Sequence, residues 1–120
     1  MLNKYPRRDA AYFATASGVA VVDRRQPRLI DLDSVGTQIW LGINGLRSLQ
    51  DIADVIAERY NQPPETTRAR IEQKCRELVE AGFVIMADAP APLPYHVSMP
   101  RDQQDRDTMT HSMREAGWIR

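Results

Sequence analysis

A chain of 120 residues, 42% of them apolar, is long enough for one domain with one core and too short for two. Sixteen basic residues balance sixteen acidic ones, which excludes a molecule-wide field for drawing in nucleic acid or anionic lipid, so any basic patch is local. The single cysteine, Cys75, excludes an internal disulfide and a thiolate cage for zinc and fits a reducing compartment, so the cytoplasm is the expected location.

The N-terminus, Met-Leu-Asn-Lys-Tyr-Pro-Arg-Arg-Asp, lacks an apolar core followed by a small-residue cleavage site. No apolar run approaches about 18 residues, so neither a standard secretory signal nor a membrane span is expected. Residues 10–15 and 18–23, with Tyr12, Phe13, Val19, Val21 and Val22, read as two strands. Ser17-Gly18 turns between them, and Arg24-Arg25-Gln26-Pro27 turns into a third strand over residues 28–32. Connections this short exclude parallel crossovers and predict a three-stranded antiparallel meander. Its third strand is an edge, whose unpaired N–H and C=O groups can template another chain.

At Asp33 the hydrophobic period changes from two residues to 3.6. Asp33 and Ser34 offer side-chain oxygens to a first helical turn, Val35, Ile39, Trp40 and Ile43 recur at helical spacing, and Gly45 closes the helix. Ser48 and Asp51 start a second helix on which Leu49, Ile52, Ala53, Ile56, Ala57 and Tyr60 form an i, i+3, i+4 stripe. Asn61-Gln62-Pro63-Pro64 stops it, and a third helix over residues 65–81 carries Ile71, Cys75, Leu78 and Val79 up to Gly82. Residues 83–86 read either as a closing strand or as an apolar plug. The fold class is therefore α+β, a three-stranded antiparallel sheet followed by three helices.

From Ala87 the prolines Pro90, Pro92 and Pro94 suggest an extended linker, which divides the chain into a domain over residues 1–87 and a tail over 88–120. Truncation after Asp88 is expected to leave the domain folded. The tail's apolar end, Met109, Met113, Trp118 and Ile119, suits a short helix against a partner enzyme or a second copy of the domain.

Neither a phosphate-binding glycine loop nor a nucleophile elbow occurs, and no Ser-His-Asp or Cys-His set falls within the domain, so no catalytic residue is expected. His96 and His111 lack partners at ligand spacing, so neither a metal nor a cofactor is expected. Cys75 and Trp40 read as core residues, the indole N–H of Trp40 needing an acceptor if buried. The second and third helices resemble a helix-turn-helix with Arg68, Arg70, Lys74 and Arg76 on its last element, and a winged-helix nucleic-acid-binding regulator is the alternative function. Against it, Glu65, Glu72, Glu77 and Glu80 interleave with those cations. In the strand half, Lys4, Arg7, Arg8, Arg24, Arg25 and Arg28 outnumber Asp9 and Asp23, which suits either an acidic peptide or a solubilising surface.

The ordered set Leu32-Asp33-Ser34-Val35-Gly36, Ile39-Trp40, Gly45, Leu49, Ile52-Ala53 and Leu78-Val79-Glu80-Ala81-Gly82-Phe83-Val84 resembles the PqqD-like family of small peptide chaperones. These are also called RiPP recognition elements because they serve ribosomally made, post-translationally modified peptides. The resemblance implies a winged-helix-like fold and a non-catalytic role. It implies that the leader of a precursor peptide adds as a strand to the third strand, in a groove completed by the third helix. The implied partner is a maturation enzyme, whether a radical enzyme using S-adenosylmethionine, an ATP-dependent enzyme or a leader peptidase.

Carried onto this sequence, the resemblance assigns peptide binding to Arg28, Leu29, Ile30 and Asp31 on the strand. On the helix it assigns Arg70, Ile71, Lys74, Cys75 and Leu78. One shoulder of that helix carries Thr67, Arg70 and Lys74, the other Arg68, Glu72 and Arg76. The first is favoured because the position of Lys74 is commonly apolar or aromatic in the family. Asp33 departs from the family's usual Asn. A second copy of the chain could pair at the same edge, giving a homodimer.

Overall fold

The computed structural model describes residues 1–101, in the order β1 (Tyr5–Arg8), β2 (Tyr12–Thr15), β3 (Gly18–Asp23), β4 (Arg28–Asp31), α1 (Ser34–Gly42), α2 (Leu49–Arg59), α3 (Pro64–Glu80), β5 (Val84–Ala87) and α4 (Tyr95–Ser98). Strands β2, β3 and β4 form the expected antiparallel meander, with Tyr12 opposite Val21 and Val21 opposite Ile30. A second, two-stranded sheet pairs β1 with β5, from Tyr5 opposite Ala87 to Arg8 opposite Val84. The sequence reading contains no β1, because Pro6 and two arginines look unlike a strand. Proline is tolerated in this two-stranded ribbon because both of its strands are edges. Residues 83–86 are resolved in favour of a strand, shifted by one residue.

The helix boundaries follow local chemistry. Asp33 caps α1, its Oδ1 accepting from Gly36 N–H at 2.7 Å. That helix ends at Gly42, where Ile43 N–H closes on Ile39 and Trp40 carbonyls, so Gly45 serves a loop and not the cap. Ser48 and Asp51 form a reciprocal capping box at α2. Pro64 occupies the first turn of α3, where its missing N–H costs nothing. Gly82, at φ +84°, then closes α3: Gly82 N–H donates to Val79 O and Phe83 N–H to Leu78 O, both at 3.0 Å.

The core lies where the meander meets α1 and α3. Val21, Ile39, Trp40, Leu49 and Cys75 are fully buried, and Tyr12 meets Trp40 edge-on with ring centroids 5.4 Å apart. Trp40 Nε1 has no acceptor among the described residues. Burial pushes the Cys75 thiol up to about 11, with the Glu72 charge adding to the shift. A raised thiol pKa means that the neutral form is favoured by folding. This contribution is complete below the unfolded thiol's pKa of about 8.5 and is lost as pH rises through about 11. Ellman's reagent at mildly alkaline pH should therefore react with Cys75 about a hundredfold more slowly in the native protein than in denaturant. Equal rates would contradict this packing.

The chain after β5 returns to the body. Ala91 N–H donates to Gly45 O at 2.9 Å, Arg7 donates to the carbonyls of Ala91 and Pro92 at 2.8 and 3.1 Å, Lys4 pairs with Asp88, and Leu93 packs against the core. Val97 in α4 is buried. Beneath it lies Arg8, 7% exposed, whose guanidinium donates to Trp40 O at 3.1 and 2.7 Å, to Tyr12 Oη at 2.9 Å, and to the carbonyls of Val97 and Ser98 at 3.2 and 3.1 Å. Desolvation lowers the Arg8 pKa, opposed by Tyr12. The apolar positions Met109, Met113, Trp118 and Ile119, and His111, lie outside the described residues. No described helix is long and apolar enough to cross a membrane.

Candidate peptide-binding edge and groove

Among the described residues strand β4 has one neighbour in its sheet, β3. Leu32 N–H donates to Val19 O at 2.9 Å, so Val19 and Leu32 form a hydrogen-bonded pair. Antiparallel ladders alternate such pairs with non-bonded ones, which makes Val21 and Ile30 the next bonded pair in the register. The N–H and C=O groups of Ile30 are thus spent on β3, and those of Leu29 and Asp31 point away from it. On the other side of β3, Val22 N–H donates to Ala11 O at 2.9 Å, which is the same alternation seen from the neighbouring strand. Side chains alternate as well: Ile30 is half-buried against the core, whereas Leu29 is 54% exposed.

Two contacts set β4 beside α3. Arg25, in the turn before β4, donates to Glu80 O at 3.2 Å at the end of α3. Asp33, just after β4, pairs with Lys74 at 2.7 Å. The strand and the helix therefore run in opposite directions alongside each other. A groove of about 340 Å³ lies at this junction, lined by Asp33, Val35, Arg70, Gln73, Lys74 and Glu77. Positions 70, 73, 74 and 77 share one helix face by their spacing.

The groove's charges are mostly matched internally. Lys74 Nζ also lies 3.3 Å from Glu77 Oε2. The hydrogen bond from Lys74, then that from Gly36 N–H, holds the Asp33 carboxyl below its usual range, and Asp33 in turn raises Lys74. A Cβ on Gly36 would sit 3.2 Å from Asp33 Oδ1 and 3.3 Å from Lys74 Cε, so a bare Cα leaves room for the pair. Among the described residues Arg70 has no ion-pair partner. On the opposite shoulder Arg68 forks onto Asp54 of α2 at 2.8 and 3.1 Å, and Arg76 pairs with Glu72 at 3.1 Å.

The sequence-predicted residues thus fall into three groups. Leu29 and Asp31 present backbone at the free edge, while Arg28 is drawn toward Asp23 at 3.7 Å and Ile30 faces the core. Arg70 and Lys74 line the groove. Ile71, Cys75 and Leu78 are buried beneath it, and Ile71 also reaches a second cavity toward α1 and α2. Sequence reasoning passed over Asp33, Val35, Gln73 and Glu77 as groove residues. The recurrence 70, 73, 74, 77 on α3 is the signal that could have found the last two. The described residues hold no cluster of three or more His, Cys, Asp or Glu side chains suited to a metal ion.

Residues 18–84 match the family model for coenzyme PQQ synthesis protein D, PqqD. The chain belongs to the PqqD family. The matched span opens at β3 and closes at the start of β5, so it contains β4, α3 and all six residues that line the groove, and leaves out β1, β2 and α4. No curated protein and no solved structure matches the chain. Members of the PqqD family are non-catalytic recognition proteins. They bind RiPP precursor peptides and work beside maturation enzymes such as radical enzymes using S-adenosylmethionine, and membership supports a precursor-peptide-binding role for this chain at the level of the family.

Proposed function

We propose that this PqqD-family chain captures the leader segment of a precursor peptide as an added strand on β4 and holds it for the enzyme that modifies the peptide. The observation that carries this reading is the pair of outward-facing backbones at Leu29 and Asp31, beside a groove walled by α3. An extended peptide exchanges main-chain hydrogen bonds with those two residues, and its alternate side chains enter the groove. The ladder supplies affinity and the groove supplies selectivity. Ordering the peptide offsets part of the interaction, so dissociation constants around the micromolar range are expected. The nucleic-acid alternative is weakened by pairing, since Arg68, Lys74 and Arg76 each already hold a carboxylate and a phosphate-reading face needs free cations.

The test uses the position of each N–H. Leu29→Pro removes an outward donor without touching the β3–β4 ladder and should weaken leader binding about tenfold while leaving the fold intact. Ile30→Pro removes a donor to β3 and should lower stability. Calorimetric titration with the leader of a precursor encoded beside this chain, together with urea denaturation, separates the two effects. A well-folded Leu29→Pro variant with unchanged affinity would rule out strand addition at this edge. Sizing by light scattering at high concentration checks whether a second copy occupies the edge instead.

A further inference from the structure

Beyond the groove, α3 turns toward a second cavity of about 300 Å³, between α1, the end of α2 and the start of α3. Val35, Ile56, half-exposed Tyr60 and Ile71 give it an apolar wall, with Thr67 and Arg70 on its lining. A closed apolar cavity of about 150 Å³ already holds a benzene ring, so this one has room for a large side chain. Val35 and Arg70 line both this cavity and the groove, so the two adjoin at those side chains. Strand β4 runs toward them, and a peptide paired on Leu29 and Asp31 that continues past Asp33 crosses the Lys74–Asp33 pair and arrives at the cavity mouth.

The charges at that mouth are unequal. Lys74 is held by Asp33 and Glu77 at 2.7 and 3.3 Å, which leaves little of its charge for a ligand. Arg70 is exposed and has no carboxylate partner among the described residues. An unneutralised guanidinium beside an apolar pocket favours a ligand that brings both a carboxylate and a bulky apolar group.

We infer that the cavity and Arg70 select the peptide, taking one large aliphatic or aromatic side chain in the pocket while Arg70 pairs with an Asp or Glu next to it in the peptide. This rests on strand addition at β4 and specifies the class of peptide that the edge accepts. Arg70, and not Lys74, is the cation that discriminates.

Random dodecapeptides displayed on phage and selected on the full chain provide the probe. The enriched sequences should place Leu, Ile, Phe, Tyr or Trp within two positions of an acidic residue. A synthetic peptide of that consensus should lose about tenfold in affinity on Arg70→Glu and about threefold on Arg70→Gln, and replacing its acid by Lys should restore binding to Arg70→Glu. Val35→Trp, which fills the pocket, should shift the preferred apolar residue toward Ala. Leu29→Pro should weaken every selected peptide. If Leu29→Pro weakens binding but the enriched sequences lack the apolar–acidic pair, or Arg70→Glu leaves affinity unchanged, this inference is wrong and strand addition stands. Selected peptides indifferent to Leu29→Pro overturn strand addition and this placement with it, and a failure to enrich any peptide overturns both.

Discussion

Replacing Arg8 with alanine should destabilise the protein by about 3–5 kcal/mol, the largest effect expected of any single charged residue here. Arg8 lies at the crossing of β1, α1 and α4. It makes two hydrogen bonds to Trp40 O and one each to Tyr12 Oη, Val97 O and Ser98 O, and its guanidinium stands 4.9 Å from the Tyr12 ring centroid and 5.6 Å from that of Trp40. No carboxylate among the described residues pairs with it. The charge is spread instead over neutral acceptors and two ring faces. Alanine removes the guanidinium's donations to Trp40 O, Val97 O and Ser98 O, leaving Trp40 O with its bond from Ile43 N–H at 3.2 Å, and opens a cavity beside two aromatic rings. Lysine recovers only part of the loss, because an ammonium lacks the planar fork that reaches Trp40 and α4 together. Guanidinium denaturation measures the effect. The same substitution in a chain ending at Asp88, where the Val97 and Ser98 carbonyls are absent, should cost about 1–2 kcal/mol less. A strictly additive pair of changes would show that Arg8 does not hold residues 89–98.

That buried arginine also marks where the sequence stopped being legible. Helices α2 and α3 could be read because their signals are local: Ser48 and Asp51 sit three residues apart, and Pro64 and Gly82 mark the two ends of one element. The meander could be read for the same reason, from short turns at Ser17-Gly18 and Arg24-Pro27. Strand β1 could not, since its partner β5 lies some 80 positions away and its arginines look solvated until Trp40 O and α4 are brought over Arg8. The candidate site divides in the same way. That residues 28–32 form an edge follows from the order of strands, whereas the outward turn of Leu29 and Asp31 needs the register set by Leu32 N–H on Val19 O. Helical spacing gives α3 two shoulders, and the fold shows that the one with Arg70 and Lys74 lines the groove. The difference between Lys74 and Arg70 needs the fold too, because Asp33 is 41 positions from Lys74 and only the fold shows which cation is already neutralised.

Gly45→Ala should cost about 2–4 kcal/mol, and most of that through residues that follow β5. Gly45 sits at φ +80°, where an added Cβ is strained by about 1 kcal/mol or somewhat more. The contact is worse than the conformation: a Cβ there would collide with Ala91 O and lie 3.2 Å from Leu93 Cδ2. The two backbones are already joined by Ala91 N–H donating to Gly45 O at 2.9 Å, so the proline-rich segment cannot shift without losing that bond and the Arg7 contacts with Ala91 and Pro92. Asparagine separates the two causes, because it tolerates the left-handed conformation but still carries a Cβ. In the full chain Gly45→Asn should destabilise nearly as much as Gly45→Ala. In a chain ending at Asp88 the collision partner is gone, and Gly45→Asn should then be close to neutral while Gly45→Ala retains about 1 kcal/mol. Equal losses for Asn in the two chains would mean that the glycine serves only its own turn.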